Sequence, residues 1–154
     1  MSLPTAASTT ITIDAPPEHV YDLIADITRM SEWSPECIGC EWLGEPNQVG
    51  STFRGRNRRG IARWSTLARV LVADRPGRFT FATLHRGEIA TRWSYELAGD
   101  DTTTVTETFT SVTTPLLIGF VERWIIRDRQ AQLESGMAQT LAKVKTAAET
   151  RHAL

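Results

Sequence analysis

The feature that most constrains this chain is a series of short, period-two segments joined by tight turns. From Cys37 to Thr110 the sequence reads as six strands: Cys37 to Leu43, Ser51 to Asn57, Ala62 to Ala73, Arg78 to His85, Ala90 to Leu97 and Thr103 to Thr110. Between them lie Arg59-Gly60, Asp74-Arg75-Pro76-Gly77, Arg86-Gly87 and Gly99-Asp100-Asp101, all turn chemistry. Short turns in series permit only antiparallel neighbours, so the strands form a meander. An earlier strand, Thr9 to Ile13, places Ile11 and Ile13 on one face and ends at Asp14 and the prolines. Pro17 suits a first helical turn, where a missing N–H costs nothing. Val20, Leu23, Ile24 and Ile27 recur at helical spacing, predicting a helix over residues 16–25 and a second short one over Ile27 to Trp33. Pro35 stops the latter.

After Pro115 the pattern is helical to about Ala148. Leu133, Met137, Leu141, Val144 and Ala148 form one stripe, and Leu117, Phe120, Val121, Trp124 and Ile125 an earlier one. The two stripes are out of phase across Arg127 to Gln132, which predicts a kink or break there. Seven strands and one long helix must share a core. The economical solution is an α+β helix-grip: a curved antiparallel sheet wrapped around the C-terminal helix, with two short helices closing one end. A length of 154 residues suits one domain, expected over residues 9–149 between a flexible N-terminus (1–8) and a short C-terminal tail (150–154).

Ile11 to Asp26 (I-x-I-D-A-P-P-E-x-V-Y-D-L-I-A-D), Met30 to Pro35 (M-S-E-W-S-P), Cys40 to Gly44 (C-E-W-L-G), Val49 to Gly55 (V-G-S-T-F-R-G), Arg92 to Leu97 (R-W-S-Y-E-L) and Thr140 to Lys145 (T-L-A-K-V-K) together resemble the START-like, helix-grip (SRPBCC) superfamily, especially its bacterial polyketide cyclase/dehydrase branch. The resemblance covers nearly the whole chain. It implies the helix-grip fold and a cavity between sheet and helix. The superfamily includes lipid and hormone binders, cyclases, quinone-binding proteins and chaperone-like members. It has no shared catalytic motif, so no residue roles carry over.

Strand parity assigns the faces. Pairing Leu97 with Val105 across the turn sets Tyr95 opposite Glu107 and Trp93 opposite Phe109. The same parity turns Phe79, Phe81, Thr83 and His85 inward, together with Trp64, Thr66, Ala68, Val70 and Val72, and Phe53, Gly55 and Asn57. With Trp124 from the last helix, these residues predict an aromatic, mostly apolar cavity of the kind that holds small molecules. Glu107 and His85 are the ionisable groups on that face. A buried carboxyl beside Tyr95 has a raised pKa and suits a general acid/base or an anchor for a ligand hydroxyl. It can equally be a structural group satisfied by Tyr95 or by an arginine such as Arg127. His85 is expected level with Ile89, about 20 Å along the strand from Tyr95 at ~3.3 Å per residue. That spacing excludes a His85–Glu107 dyad and leaves His85 at the rim.

Cys37-Ile38-Gly39-Cys40 has C-x-x-C spacing. A redox pair of this spacing draws on a helix N-terminus to acidify a thiol. Here it opens a strand, where three residues span ~10 Å, too far for a bridge. A zinc site would need a second pair of ligands, and His19 and His152 stand apart. Two ordinary thiols and no metal are expected. Arg54, Arg56, Arg58, Arg63 and Arg69 share the outer sheet face, either as a solvated surface or as a docking face for an anionic partner. Pro46 to Gly55 is read as a loop folding over the cavity mouth. It lacks phosphate-binding spacing, and the chain has no Gly-x-Ser-x-Gly or His-Glu-x-x-His motif.

The net charge of -1 gives no support for nucleic-acid binding. No apolar run approaches the ~20 residues of a membrane span. Met1 to Ala7 lack the basic and apolar regions of a secretion signal, and two cysteines make no disulfide scaffold, so a cytoplasmic location is expected. The leading expectation is a binder of a hydrophobic small molecule (lipid, polyketide or aromatic metabolite), acting without a cofactor as a monomer or homodimer. The alternatives are a cyclase/dehydratase-type enzyme using Glu107 and Tyr95, and a protein-interaction module.

Overall fold

The computed structural model describes residues 6–111 and 120–153, with side chains described over 6–111 and 131–150. The element order is β1 (Ala6–Ile13), α1 (Pro17–Ala25), a 3-10 turn (Ile27–Arg29), α2 (Met30–Trp33), β2 (Cys37–Trp42), β3 (Thr52–Arg59), β4 (Ala62–Asp74), β5 (Arg78–His85), β6 (Glu88–Gly99), β7 (Thr103–Ser111) and α3 (Phe120–Ala153). The seven strands form one antiparallel sheet in the order β1-β7-β6-β5-β4-β3-β2. The meander is consecutive, and β1 closes its far edge against β7. This is the α+β helix-grip expected from the strand count and the single long helix.

Local chemistry explains most boundaries. α1 starts at Pro17 and buries Val20, Tyr21, Leu23 and Ile24. Asp26 ends it, and its carboxylate caps the next turn by accepting the Thr28 backbone N–H at 3.2 Å. Trp33 is buried, and the Arg29 guanidinium lies 5.0 Å from its ring centroid. The β6–β7 turn requires glycine: Gly99 has φ +141°, and a Cβ there would meet the Thr102 carbonyl oxygen at 1.9 Å.

β1 begins at Ala6, three residues earlier than Thr9. Residues expected in a flexible N-terminus therefore pair with β7, as Ala6 with Thr110 and Ser8 with Thr108. α3 is continuous from Phe120 to Ala153, so the phase change across Arg127 to Gln132 does not break the helix. Its last turn also takes in most of the expected tail. The earlier apolar stripe lies outside the described side chains, apart from the bounds of the helix itself. The later one packs as its spacing requires, with Met137, Leu141, Val144 and Ala148 all buried.

The grip is filled at one end and hollow at the other. Ile13, Val20, Ile24, Ile27, Leu97, Val105, Leu141, Val144 and Ala148 form a packed core with Phe79. Each of these side chains other than Ala148 contributes roughly 1.5–3 kcal/mol by leaving water. Towards the other end, α3 presents Gln132, Leu133, Gly136, Met137 and Thr140 across a gap to the sheet.

Candidate functional site

The gap is a cavity of about 530 Å³, walled by β2 to β7, the α2–β2 connection and α3. Its floor is a run of aromatic rings crossing the sheet. Phe53 meets Phe81 edge-on at 5.3 Å, Phe81 stacks on Trp93 at 6.4 Å, and Trp93 tilts against Phe109 at 4.8 Å. Inner-face parity and the short turns bring these four rings, from four strands, into one row. Trp64 stands at the open side and is partly exposed. Small groups leave the space above the floor: Gly55 and Ala68 below, and Gly136 above, beside Pro35.

Tyr95 and Glu107 are Cα partners across β6 and β7, flanked by Leu97–Val105 and Trp93–Phe109. The register read from the turn is the register observed. The Tyr95 hydroxyl donates to Glu107 Oε2 at 2.8 Å. Glu107 is 2 % exposed, and its Oε1 has no hydrogen-bond partner among the described residues. Burial raises the Glu107 pKa to about 8, against the opposing effect of the Tyr95 hydrogen bond. Burial, and then the neighbouring Glu107, push the Tyr95 phenol well above its ordinary value. Both groups are therefore neutral at pH 7. A neutral carboxylic acid has an O–H to donate, which a carboxylate lacks. The pair is an uncharged polar spot in an otherwise apolar wall. It can hydrogen-bond a ligand carbonyl or hydroxyl, or deliver a proton to one.

The expected cavity residues divide clearly. Phe53, Asn57, Trp64, Thr66, Phe81, Thr83, Trp93, Tyr95, Glu107 and Phe109 all line the cavity. Phe79 does not. It shares the parity of Phe81 but lies in the filled half, edge-on to Tyr21 of α1 at 6.1 Å. His85 is also excluded. A bulge between Thr83 and Leu84 shifts the register, so His85 faces Glu88 rather than Ile89, and its side chain is exposed. A second bulge, between Val70 and Val72, flips the end of β4. Ala73, not Val72, then pairs with Phe79 and packs on the core. The side chains of Trp124 and Arg127 lie outside those described.

Three further expectations meet the structure differently. Residues 46–50 contribute nothing to the cavity wall; the loop is tied down by Gly50 N–H to the Val70 carbonyl at 2.8 Å and by Ser51 Oγ to the Glu45 carbonyl at 2.5 Å. Only Phe53 and Gly55 of that stretch reach the wall. The five outer-face arginines are exposed together on β3 and β4 as parity requires, and Arg54 lies 4.0 Å from Glu41. Cys37 and Cys40 are not a strand length apart. Their sulfurs touch at 3.4 Å, because a bulge between Cys37 and Gly39 shortens β2 there. Both line the cavity, as does Met30. Strand periodicity carries no signal for a bulge, so the sequence offered only the C-x-x-C spacing. The α3 residues were visible as the faces flanking the apolar stripe. Among the described residues no group of three or more His, Cys, Asp and Glu is placed to hold a metal ion, and no helix is long and apolar enough to cross a membrane.

The fold is shared with solved structures. The Polyketide_cyc-like protein Cgl2372 of Corynebacterium glutamicum is 27% identical, with a TM-score of 0.64 over 95% of this chain and 92% of that one. The ZhuI aromatase/cyclase of Streptomyces sp. R1128 is 18% identical, with a TM-score of 0.76 over 95% and 94% of the two chains. The di-domain aromatase/cyclase BexL of the BE-7585A biosynthetic pathway is 19% identical, with a TM-score of 0.72; the match takes in 94% of this chain and 50% of BexL. At under 25% identity the last two likenesses concern the fold alone. No curated protein matches the sequence. The family described as polyketide cyclase / dehydrase and lipid transport matches residues 4–149, nearly the entire chain. The chain belongs to that polyketide cyclase/dehydrase and lipid transport family, the START-like helix-grip group that its sequence motifs resemble.

Proposed function

We propose that this protein binds a hydrophobic, ring-bearing small molecule (a lipid, polyketide or aromatic metabolite) in the cavity between the sheet and α3. Glu107 and Tyr95 anchor one carbonyl or hydroxyl of that molecule. The observation that carries this reading is Glu107 Oε1, which has no hydrogen-bond partner among the described residues, on a 2 % exposed carboxyl in the wall of an aromatic cavity of about 530 Å³. That volume lies in the range of about 300–1,000 Å³ typical of small-molecule pockets. The aromatic floor supplies most of the affinity by burying apolar surface. The single polar spot orients the ligand, because leaving Glu107 unmatched beneath a bound molecule would be unfavourable.

A second reading uses the same residues. A carboxyl with a pKa of about 8 stays protonated at neutral pH, as a general acid requires. Protonating a ligand hydroxyl assists its loss as water, and protonating a carbonyl assists ring closure onto it. The aromatase/cyclase likenesses favour this reading at the level of fold. The two readings separate by experiment. Native mass spectrometry of the gently purified protein, with analysis of an organic extract, gives the ligand class. Glu107→Gln should weaken binding of that ligand only modestly. Turnover of a folded polyketide substrate should collapse in the same variant if Glu107 is the acid. A protein that retains no apolar molecule and binds none from a panel of ring compounds would refute both readings.

A further inference from the structure

Cys37 and Cys40 form a feature that the ligand-binding reading leaves unused. Cys37 lies opposite Asn57 and Cys40 opposite Gly55, with a bulge between Cys37 and Gly39. Three residues of β2 therefore span two of β3, or ~6.6 Å rather than ~10 Å. That separation falls in the Cα range over which a disulfide can close, about 4.4–6.8 Å. The bulge also turns both side chains to the same face, where the sulfurs are 3.4 Å apart.

The two thiols are not equivalent. The Cys40 thiol faces the Cys37 sulfur, and the Gly39 backbone N–H and the Arg56 charge support it too. Together they outweigh burial and lower the Cys37 pKa. Cys40, facing the Cys37 sulfur and half-buried, is pushed up. Its sulfur also lies 3.9 Å from the Met30 thioether. The lowered Cys37 pKa favours it as the attacking thiol, and Cys40, whose sulfur is 3.4 Å away, is placed to resolve what forms on it. The Cys37 residue is only 6 % exposed and contributes to the cavity wall. A reagent reaching its sulfur from that side must first occupy an apolar, ring-lined space.

We propose that Cys37 and Cys40 are a peroxide-oxidised dithiol in the cavity wall, with apolar organic hydroperoxides as the preferred oxidant. The preference rests on the apolar-ligand reading of the cavity. The Cys37 thiolate attacks the terminal oxygen of the hydroperoxide. The O–O bond breaks, the alkoxide leaves and takes up a proton as the alcohol, and Cys37 becomes a sulfenic acid. The Cys40 sulfur then attacks Cys37, the S–O bond breaks, and the hydroxyl leaves with the Cys40 proton as water. In sum, two thiols and one hydroperoxide give one disulfide, one alcohol and one water. The sulfur pair loses two electrons and the peroxide gains them.

The reduced full-length chain, exposed to equal concentrations of cumene hydroperoxide and hydrogen peroxide at neutral pH, tests this by intact mass. Cumene hydroperoxide should remove two hydrogens at least about tenfold faster, since a difference of only ~1.4 kcal/mol in cavity occupancy suffices. Dithiothreitol should reverse the change. Cys37→Ser should abolish it, and Cys40→Ser should stop at a sulfenic acid that dimedone captures. Absence of disulfide, or the same single-thiol oxidation with either serine variant, overturns the proposal. Equal rates with the two oxidants overturn the cavity-fed route. Binding of an anilinonaphthalene sulfonate dye, read in the same samples by fluorescence, keeps that failure apart from failure of the ligand reading. Dye binding with equal oxidation rates leaves the ligand site standing and removes only the preference for apolar hydroperoxides.

Discussion

Replacing Glu107 with Gln should stabilise the protein increasingly as pH rises above the ordinary carboxyl range. The carboxyl moves from 4.5 to about 8 on folding because burial disfavours its charged form. The folded state then holds the proton more tightly than the unfolded chain. Well below 4.5 both states are protonated and ionisation of this group contributes nothing to the difference. Between 4.5 and 8 only the unfolded chain ionises, so stability falls by ~1.4 kcal/mol per pH unit from this group. Above 8 the full difference is reached, ~5 kcal/mol, and it stays constant with pH. Gln keeps the shape, still accepts the Tyr95 hydroxyl, and cannot ionise. Urea unfolding of both proteins at pH values from about 5 to about 9 isolates the effect, since all other groups cancel in the difference. The expected curve rises in favour of the variant and then levels. A difference that stays flat across that range would refute the reasoning. It would mean that Glu107 ionises normally, held by a cation, and that the cavity lacks its neutral donor.

Tyr95→Phe should cost ~1–3 kcal/mol in urea unfolding, because Glu107 Oε2 loses its partner inside the protein; it should also move the pH dependence of Glu107 upward, since that hydrogen bond opposes the shift. Phe79→Ala should cost ~3–5 kcal/mol, and Phe109→Ala clearly less, because Phe79 is 1 % exposed in packed core while Phe109 already borders empty space. Similar losses from the two would argue against the division into filled and hollow halves. Gly99→Ala should destabilise by ~1–3 kcal/mol, visible as a lowered Tm, because its φ of +141° and the Thr102 carbonyl leave no place for a side chain.

How much of this protein was legible in its sequence depends on the range of the physics involved. Parity along a strand is local: side chains alternate by geometry, and a short turn transmits that alternation to the next strand. So the sequence alone determined that Tyr95 faces Glu107, that Trp93 faces Phe109, and that Phe53, Phe81 and Trp93 share the inner surface. The stripe from Leu133 to Ala148 determined which side of α3 the sheet would grip. Bulges escape such reading, since one extra residue reverses every face beyond it and leaves no periodic trace. Two of them moved Val72 off the core face and drew Cys37 against Cys40, and a third, on β6, set His85 opposite Glu88 instead of Ile89. The tertiary structure alone decided where the grip is full and where it is hollow. Phe79 and Phe81 are indistinguishable by parity, yet Tyr21 covers the first and the cavity borders the second. The charge state of Glu107 was decided the same way: its pKa follows from how completely distant segments exclude water from it, which strand periodicity does not encode.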